Sequence, residues 1–368
     1  MNDFTNEERN NFDREYEKMR LPRPTILVCG WTGAGKSSLI KAMLDVDVPI
    51  KDGSPCTQHF DVYENDLARV FDSKGMEKGE MVSDFVQKIG NFIKERRTTS
   101  DIENNVHLVW YVVDAVACRF DDGDVEIIKE LCKFVEKRSI VFVLTKCDSA
   151  RKTQMESLIQ RIKEKCDVTD RDIIPVCDEE GMKDERTPNE IKHGLSDLLN
   201  HSFFILPDAV HDAWTMAQKV DIEKKLELIK KKKPGAITIV SGATVAAGGA
   251  AAIPIPIGNT VAITGIQIGM VGSLAGIYTA GIPKESILPF VAAVAGRQAA
   301  ASLLTLLPGI GSIINAGIAT AFTGGIGTYC IAVFEKAAIA KAKGEKMPEL
   351  KFDLNLVMEC IKNHKKIE

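Results

Sequence analysis

Residues Val28 to Ser38 read VCGWTGAGKSS, and no other stretch limits the fold of this chain as tightly. Gly30, Gly35, Lys36 and Ser37 fill the fixed positions of G-x-x-x-x-G-K-[ST], a phosphate-binding loop. The motif requires a strand before it and a helix after it. Thr25 to Cys29 is a short β-branched and apolar run, and Ser38 to Leu44 opens a helix with periodic apolar residues. A strand, a glycine turn and a helix N-terminus point the backbone N–H groups of Gly30, Trp31, Thr32, Gly33, Ala34, Gly35, Lys36, Ser37 and Ser38 at one place. Such a nest suits two or three phosphate groups. Lys36 is placed to reach β- and γ-phosphates, and the Ser37 hydroxyl to join Mg²⁺. A glycine-rich turn between a strand and a helix can arise by chance, so the motifs downstream decide.

From Pro24 to about Pro207 strand and helix patterns alternate. His59 to Tyr63 and Leu67 to Phe71 read as paired strands, after a loop over Asp45 to Gln58. Val106 to Val113 and Ile140 to Leu144 are continuous apolar runs, the pattern of strands covered on both faces, and Ile173 to Val176 adds one more. Helices are predicted over Glu80 to Arg97, Asp124 to Val135, Met155 to Ile162 and Glu190 to Leu199. Six strands with crossover helices predict a doubly wound α/β domain.

Two motifs fall at strand ends in this order. Asp72-Ser73-Lys74-Gly75 supplies Asp-x-x-Gly, with a carboxylate for a magnesium water and a Gly75 N–H for the γ-phosphate. Thr145-Lys146-Cys147-Asp148 supplies a base reader. Its Asp148 carboxylate accepts from two donors on the guanine edge, which adenine lacks, and the Lys146 stem lies over the base plane. Asp-x-x-Gly alone recurs by chance. Three motifs in order, each at a strand end, do not.

On these motifs the segment from about Arg23 to Asn200 resembles the translation-factor class of GTPases, in the Era, septin and dynamin-like group. The resemblance implies GTP and GDP as ligands, Mg²⁺ as cofactor, and GTP hydrolysis. It assigns Thr57, in Ser-Pro-Cys-Thr-Gln-His, as the switch threonine that joins Ser37 and Asp72 at the metal, and with Lys36 and Gly75 serves the chemistry. Val176 and Cys177, followed by Asp178, fall where the group has its last guanine loop. Two departures bear on mechanism. Met76 follows Gly75 where Ras-like enzymes carry the glutamine that orients water, leaving His59 as the nearest polar substitute. Gly33 stands where potassium-dependent relatives carry asparagine, so no K⁺ stimulation is expected.

Cysteine and charge set the surroundings. The nine cysteines include no C-x-x-C pair, which suits reduced thiols in a cytoplasmic setting. Cys29, Cys56, Cys147 and Cys177 would lie near the nucleotide, as redox sensors or as small packing residues. Asp121, Asp122 and Asp124 read as a solvated helix start favoured by the dipole. A formal net charge of −4 argues against nucleic acid as a partner.

The composition changes in the C-terminal half. Residues 1–21 read as a separate exposed helix, 22–204 as the GTPase domain, and 205–234 as a polar linker helix ending in Lys230 to Lys233. Residues 235–340 read as an all-α hydrophobic domain rich in Gly and Ala, and 341–368 as a tail of ordinary composition. With Ile253-Pro254-Ile255-Pro256 and Leu307-Pro308-Gly309-Ile310-Gly311, this half is similar to a hydrophobic domain of unknown function fused to bacterial GTPases. Ala236 to Ile253, Val261 to Ile282, Ser286 to Leu307 and Gly309 to Phe334 are each about membrane length. Gly265-x-x-x-Gly269 and Gly272-x-x-x-Gly276 permit close helix contact. Against constitutive spanning, leucine is scarce, and Arg297 mid-segment would cost about 2.5–3.5 kcal/mol. The sequence therefore predicts a switch in contact with a membrane or anionic lipid through 230–334 in one nucleotide state, peripheral or integral, and admits a homodimer. The rival reading is a pseudo-GTPase that serves as a nucleotide-dependent binding module.

Overall fold

The computed structural model describes residues 5–45, 60–76, 81–96, 101–177, 194–252, 258–295 and 316–364. They divide into two units, Pro22–Asp221 and Met1–Leu21 together with Ile222–Glu368. Helix α1 (Asn6–Met19) falls in the second of these.

In the first unit, β1 (Thr25–Gly30) is buried at all six residues, which demands cover on both faces and a partner at both edges. The loop after it leads into α2 (Lys36–Met43). Strand β2 (Phe60–Glu64) runs antiparallel to β3 (Arg69–Ser73), and β3 pairs parallel with β1. Helix α3 (Val82–Arg96) leads to β4 (Leu108–Asp114), parallel to β1 on its other edge. Helix α4 (Asp122–Leu131), β5 (Ile140–Thr145), α5 (Lys152–Cys166), β6 (Ile173–Pro175) and α6 (Leu195–Ile205) complete the alternation. The sheet order is β2-β3-β1-β4-β5-β6, the doubly wound α/β arrangement. Each strand lies within two residues of its predicted span. Helix α6 starts later than predicted because Gly194 is left-handed, with φ +62°. One face of the sheet packs Leu27, Phe71, Tyr111 and Phe142 against Phe92, Ile127, Leu158 and Ile162 of the crossover helices.

The predicted polar helix over 205–234 does not form as one element. After α6 a turn leads into α7 (His211–Ala217), whose Trp214 is fully buried edge-on against Trp110 of β4. Gln218 is buried and exchanges side-chain bonds with the Asp221 backbone, and Lys219 N–H donates to Met43 O at 2.9 Å. These contacts hold the chain to the α/β unit as far as Asp221. A polar composition concealed one large apolar anchor, Trp214, which decides the boundary.

The second unit comprises α8 (Ile222–Lys231), α9 (Lys233–Ala252), α10 (Gly258–Tyr278), α11 (Lys284–Ala295), α12 (Ala316–Ala342), α13 (Leu354–His364) and α1. Helix α1 is not a separate exposed helix. Thr5 and Glu8 cap it reciprocally, and Phe12 and Tyr16, one turn apart, are buried. They lie along the glycine face of α10. Asn11 Nδ2 donates to Gly265 O at 2.8 Å, and a Cβ on Gly272 or Gly276 would stand 2.7 or 2.6 Å from the carbonyls of Phe12 and Tyr16. The glycine spacing expected to join membrane helices thus receives α1, and Lys284 pairs with Asp13 at 2.6 Å. The C-terminal residues are no free tail either, since Val357 of α13 is fully buried and the Tyr329 hydroxyl donates to Lys351 O at 2.7 Å.

Among the described residues, three stretches of helix, Ile222–Ala252, Val261–Tyr278 and Ala316–Ala342, are long and apolar enough to cross a membrane by length and composition. The predicted segment Ser286 to Leu307 is described only to Ala295. Arg297, Ile253 to Pro256 and Leu307 to Gly311 lie outside the described residues. The apolar window in Ile222–Ala252 is 22% buried, against 61% in the other two, and Ile237 and Val245 of α9 are 52% and 75% exposed.

The glycine contacts make a prediction. Gly272→Leu should expel α1, costing about 1–3 kcal/mol, seen as lost hydrogen-exchange protection over Phe12 to Tyr16. Gly242→Ala, on α9 with open space around it, should instead stabilise by up to about 1 kcal/mol. Unchanged α1 protection in the leucine variant would refute the packing.

Candidate nucleotide site

The site is built where β1, β3, β4 and β5 end. Gly30 closes β1 at φ +141°, and a Cβ there would stand 2.2 Å from Val112 O, so the loop can leave the sheet only from glycine. Gly33 and Gly35 follow in the left-handed region, and Gly35 precedes α2. Thr145 Oγ1, from β5, donates to Ala34 O at 2.6 Å and fixes the loop's far side. Thr32, Gly33, Ser37 and Ser38 are exposed, whereas Lys36 is buried. The Lys36 ammonium donates to Trp31 O at 3.1 Å and Gly30 O at 3.3 Å, and burial lowers its pKa against the pull of Asp72. Asp72 favours the charged ammonium, but among the described residues no carboxylate forms an ion pair with it.

Asp72, at the end of β3, is 4% exposed and accepts from Ser37 Oγ at 2.7 Å through Oδ2. Its Oδ1 is buried with no hydrogen-bond partner. Burial holds the carboxyl above its ordinary range, opposed by the Ser37 bond and by Lys36. An orphaned carboxylate oxygen beside a serine hydroxyl is the hard-oxygen set that Mg²⁺ takes together with phosphates and waters. Among the described residues no group of three His, Cys, Asp or Glu side chains gathers. One carboxylate suffices for a phosphate-bound Mg²⁺, so Ser37 and Asp72 fit the ion. The buried Tyr63 of β2 stands beside Ser37, a neighbour no motif announced. Thr57, Cys56 and His59 lie outside the described residues.

The segment after Asp72 lies on the phosphate loop. Thr32 Oγ1 donates to Gly75 O at 2.9 Å and Thr32 N–H to Met76 O at 3.3 Å, while Trp31 and Met76 form a parallel bridge. A Cβ on Gly75 would stand 2.4 Å from Thr32 N and 2.7 Å from Lys36 Nζ, so only glycine passes so close to the ammonium. Met76 is 1% exposed. Its thioether is buried and offers no polar group to the site.

At the other end, Lys146 takes a left-handed φ of 58° and donates to Gly33 O at 2.9 Å and Asp114 Oδ2 at 2.6 Å. Burial opposes ionisation of Asp114, but the Lys146 bond and two backbone N–H groups outweigh it and lower its pKa. Asp148 is half-buried and accepts from Ser149 Oγ at 3.0 Å. Val176 N–H donates to Leu144 O at 2.7 Å, which brings Val176 and Cys177 beside the Lys146 turn, and Asp178 lies outside the described residues. Burial pushes the Cys29 and Cys147 thiols up to about 12, so they stay protonated at neutral pH and pack as small apolar side chains. A cavity of about 550 Å³ adjoins the loop, lined among others by Trp31, Thr32, Met76, Asp114 and Arg119.

One sequence reading is corrected. Asp124 is 1% exposed, not solvated, and accepts from Trp31 Nε1 at 2.8 Å and Tyr111 OH at 2.6 Å. A D-D-G-D string shows only a helix start; the donors come from residues 93 and 13 positions away.

A glycine loop between β1 and α2, a buried lysine and an aspartate at the end of β3 define a P-loop nucleotide-binding domain. Residues 25–146 match the family model MMR_HSR1, described as 50S ribosome-binding GTPase, and this segment is a P-loop GTPase domain. Among solved structures, a probable GTP-binding protein EngB is 19% identical, with 49% of this chain and 97% of that one covered at a TM-score of 0.37. Toc33 from Arabidopsis thaliana, in complex with GDP and Mg²⁺, is 16% identical over 58% and 95% of the two chains, at 0.33. LeoA, a bacterial dynamin GTPase from ETEC, is 16% identical over 82% of this chain and 56% of that one, at 0.36. No curated protein matches the sequence.

The orphaned Asp72 oxygen yields a prediction. A carboxyl whose folded pKa lies above its unfolded value costs stability once pH exceeds the unfolded value. Asp72→Asn should therefore raise the melting temperature of nucleotide-free protein near pH 7 and lose that advantage below about pH 4, while weakening Mg²⁺-dependent nucleotide binding. An asparagine variant less stable than its parent at neutral pH contradicts the assignment.

Proposed function

We propose that this chain is a slow GTP-hydrolysing switch whose nucleotide state governs contact between its helical unit and an anionic membrane surface. The observation that carries the reading is the convergence of Lys36, Ser37, Asp72, Gly75 and Lys146 at adjoining strand ends, with Asp148 two residues beyond Lys146. Asp148 would accept from the two guanine donors, and the Lys146 stem would cover the base. The Lys36 ammonium and the loop N–H groups would hold the β- and γ-phosphates and the charge that grows during in-line attack of water. Mg²⁺ on Ser37 and Asp72 would neutralise phosphate charge. Thr57 would join them as the switch threonine. Water must be oriented by a group other than Met76, so basal turnover is slow. Met76 also favours the second reading, a pseudo-GTPase that holds nucleotide as a binding module.

The membrane part rests on α9 and the lysines before it. The exposed Ile237 and Val245 follow Lys230, Lys231 and Lys233 in one stretch of helix. Lys231 pairs with Glu227 at 2.9 Å and Lys233 with Glu335 at 3.2 Å, both with over half of the lysine side chain exposed. Such pairs are weak and open readily toward an anionic surface. Lys232 instead donates inward to Ile277 O at 2.9 Å and is structural. No continuous helix over Asp208 to Lys233 exists to act as a lever. The chain joins the two units at Leu21–Pro22 and at Asp221–Ile222, so coupling has two covalent routes.

Two predictions test these readings. Asp148→Asn should weaken GTP binding by about one to two decades and shift preference toward xanthine nucleotides, since an unmatched buried polar group costs about 1–3 kcal/mol. Labelled GTP should turn over slowly, at the same rate in K⁺ and Na⁺, and Lys36→Ala should abolish it. Equal competition by ATP would refute the guanine assignment, and no turnover at all would favour the binding module. Second, flotation with anionic liposomes should be stronger with a GTP analogue than with GDP. Replacing Lys230, Lys231 and Lys233 with glutamine should reduce it at unchanged nucleotide affinity. No flotation in either state leaves a soluble helical bundle.

A further inference from the structure

Trp31 is the one large side chain in the phosphate loop, and the structure holds it on two sides. Its indole Nε1 donates to Asp124 Oδ1 at 2.8 Å. The same oxygen accepts from Tyr111 OH at 2.6 Å, and Oδ2 accepts from Asp121 N–H at 2.8 Å. The Arg119 guanidinium covers the indole face at 3.7 Å from the ring centroid, and Arg119 pairs with Asp121 at 2.8 Å. Edge and face are therefore both fixed from one short segment, 119–124, that belongs to no nucleotide motif. The main chain of Trp31 carries two contacts of the site. Its carbonyl accepts the Lys36 ammonium, and its backbone bridges to Met76. An indole that moves takes both along.

We infer that Asp124 is a positioning residue that holds the phosphate loop in its nucleotide-binding form through Trp31. This rests on the reading of the site as a guanine-nucleotide site. A buried carboxylate persists only where donors compensate it. Burial pushes Asp124 above the ordinary carboxylate range, and Tyr111, the Asp121 N–H and Trp31 oppose that push. Two of those donors, the Tyr111 hydroxyl and the Asp121 N–H, lie outside the phosphate loop. The third comes from the phosphate loop itself. The loop can depart from its form only by leaving that carboxylate short of a donor, which gives the network its hold.

Dissociation of a fluorescent GDP in Mg²⁺, together with thermal melting, tests this. Trp31→Phe and Asp124→Ala should each speed dissociation about tenfold, and the double variant should be no faster than either single one. Tyr111→Phe removes a donor to the same oxygen but not from the loop, so it should lower the melting temperature while changing dissociation less than about twofold. Asp124→Asn keeps the acceptor for Trp31 and loses the acceptor for the Asp121 N–H, so it should melt earlier yet release GDP nearly as slowly as the parent. Should Asp124→Ala fail to fold, Trp31→Phe and Asp124→Asn decide. Release from Trp31→Phe at the parental rate, or single-variant effects that multiply in the double variant, would overturn the inference alone. A parent that binds no guanine nucleotide would overturn the functional reading and this inference with it.

Discussion

The Lys36 ammonium, buried and held by the carbonyls of Gly30 and Trp31, is the interaction on which the α/β unit is built. A cation taken out of water needs compensation, and two carbonyl dipoles supply part of it. Attraction from Asp72 supplies more. Gly75 approaches the same ammonium so closely that no side chain fits there, and Asp72 stands near with one oxygen unused. On the proposed reading the fold bears the cost of burying Lys36 and Asp72, and phosphate and a divalent cation would find their partners already in place. This is electrostatic preorganisation, set up before ligand arrives.

The same economy of contacts places Met76. Its backbone is fixed to Trp31 and Thr32, while its side chain is sealed from water. The segment after Asp72 therefore gains rigidity at the phosphate loop and gives up the polar group that would order an attacking water. If turnover is as slow as proposed, such a site would suit a switch that waits for an outside signal better than a metabolic enzyme.

The helical unit follows a different physics. Its glycines let α1 lie directly on α10, so a polar residue such as Asn11 sits against a helix that otherwise reads as a membrane span. The buried Phe12 and Tyr16 and the Asn11 bond to Gly265 O hold that contact, and Asp13 adds an ion pair to Lys284 of α11. Helix α9 has fewer buried positions, and its apolar surface follows directly on the lysines.

The succession of strands along the chain, the phosphate loop, Asp72 and the Thr145–Asp148 turn were all legible in the sequence, because each depends on neighbours in the chain: apolar runs, glycine spacing and motif position. Three things were not. Trp214 held residues 205–221 to the sheet, where a polar composition pointed to a free helix. Helix α1 filled the glycine face of α10, more than 240 residues away in the chain. Asp124, one acid among several at a helix start, turned inward to meet donors from the phosphate loop and from β4. Local pattern determined which elements form and where a phosphate can bind. Tertiary packing decided which face each helix covers and which charge is buried, because those outcomes depend on partners that only the folded chain brings together.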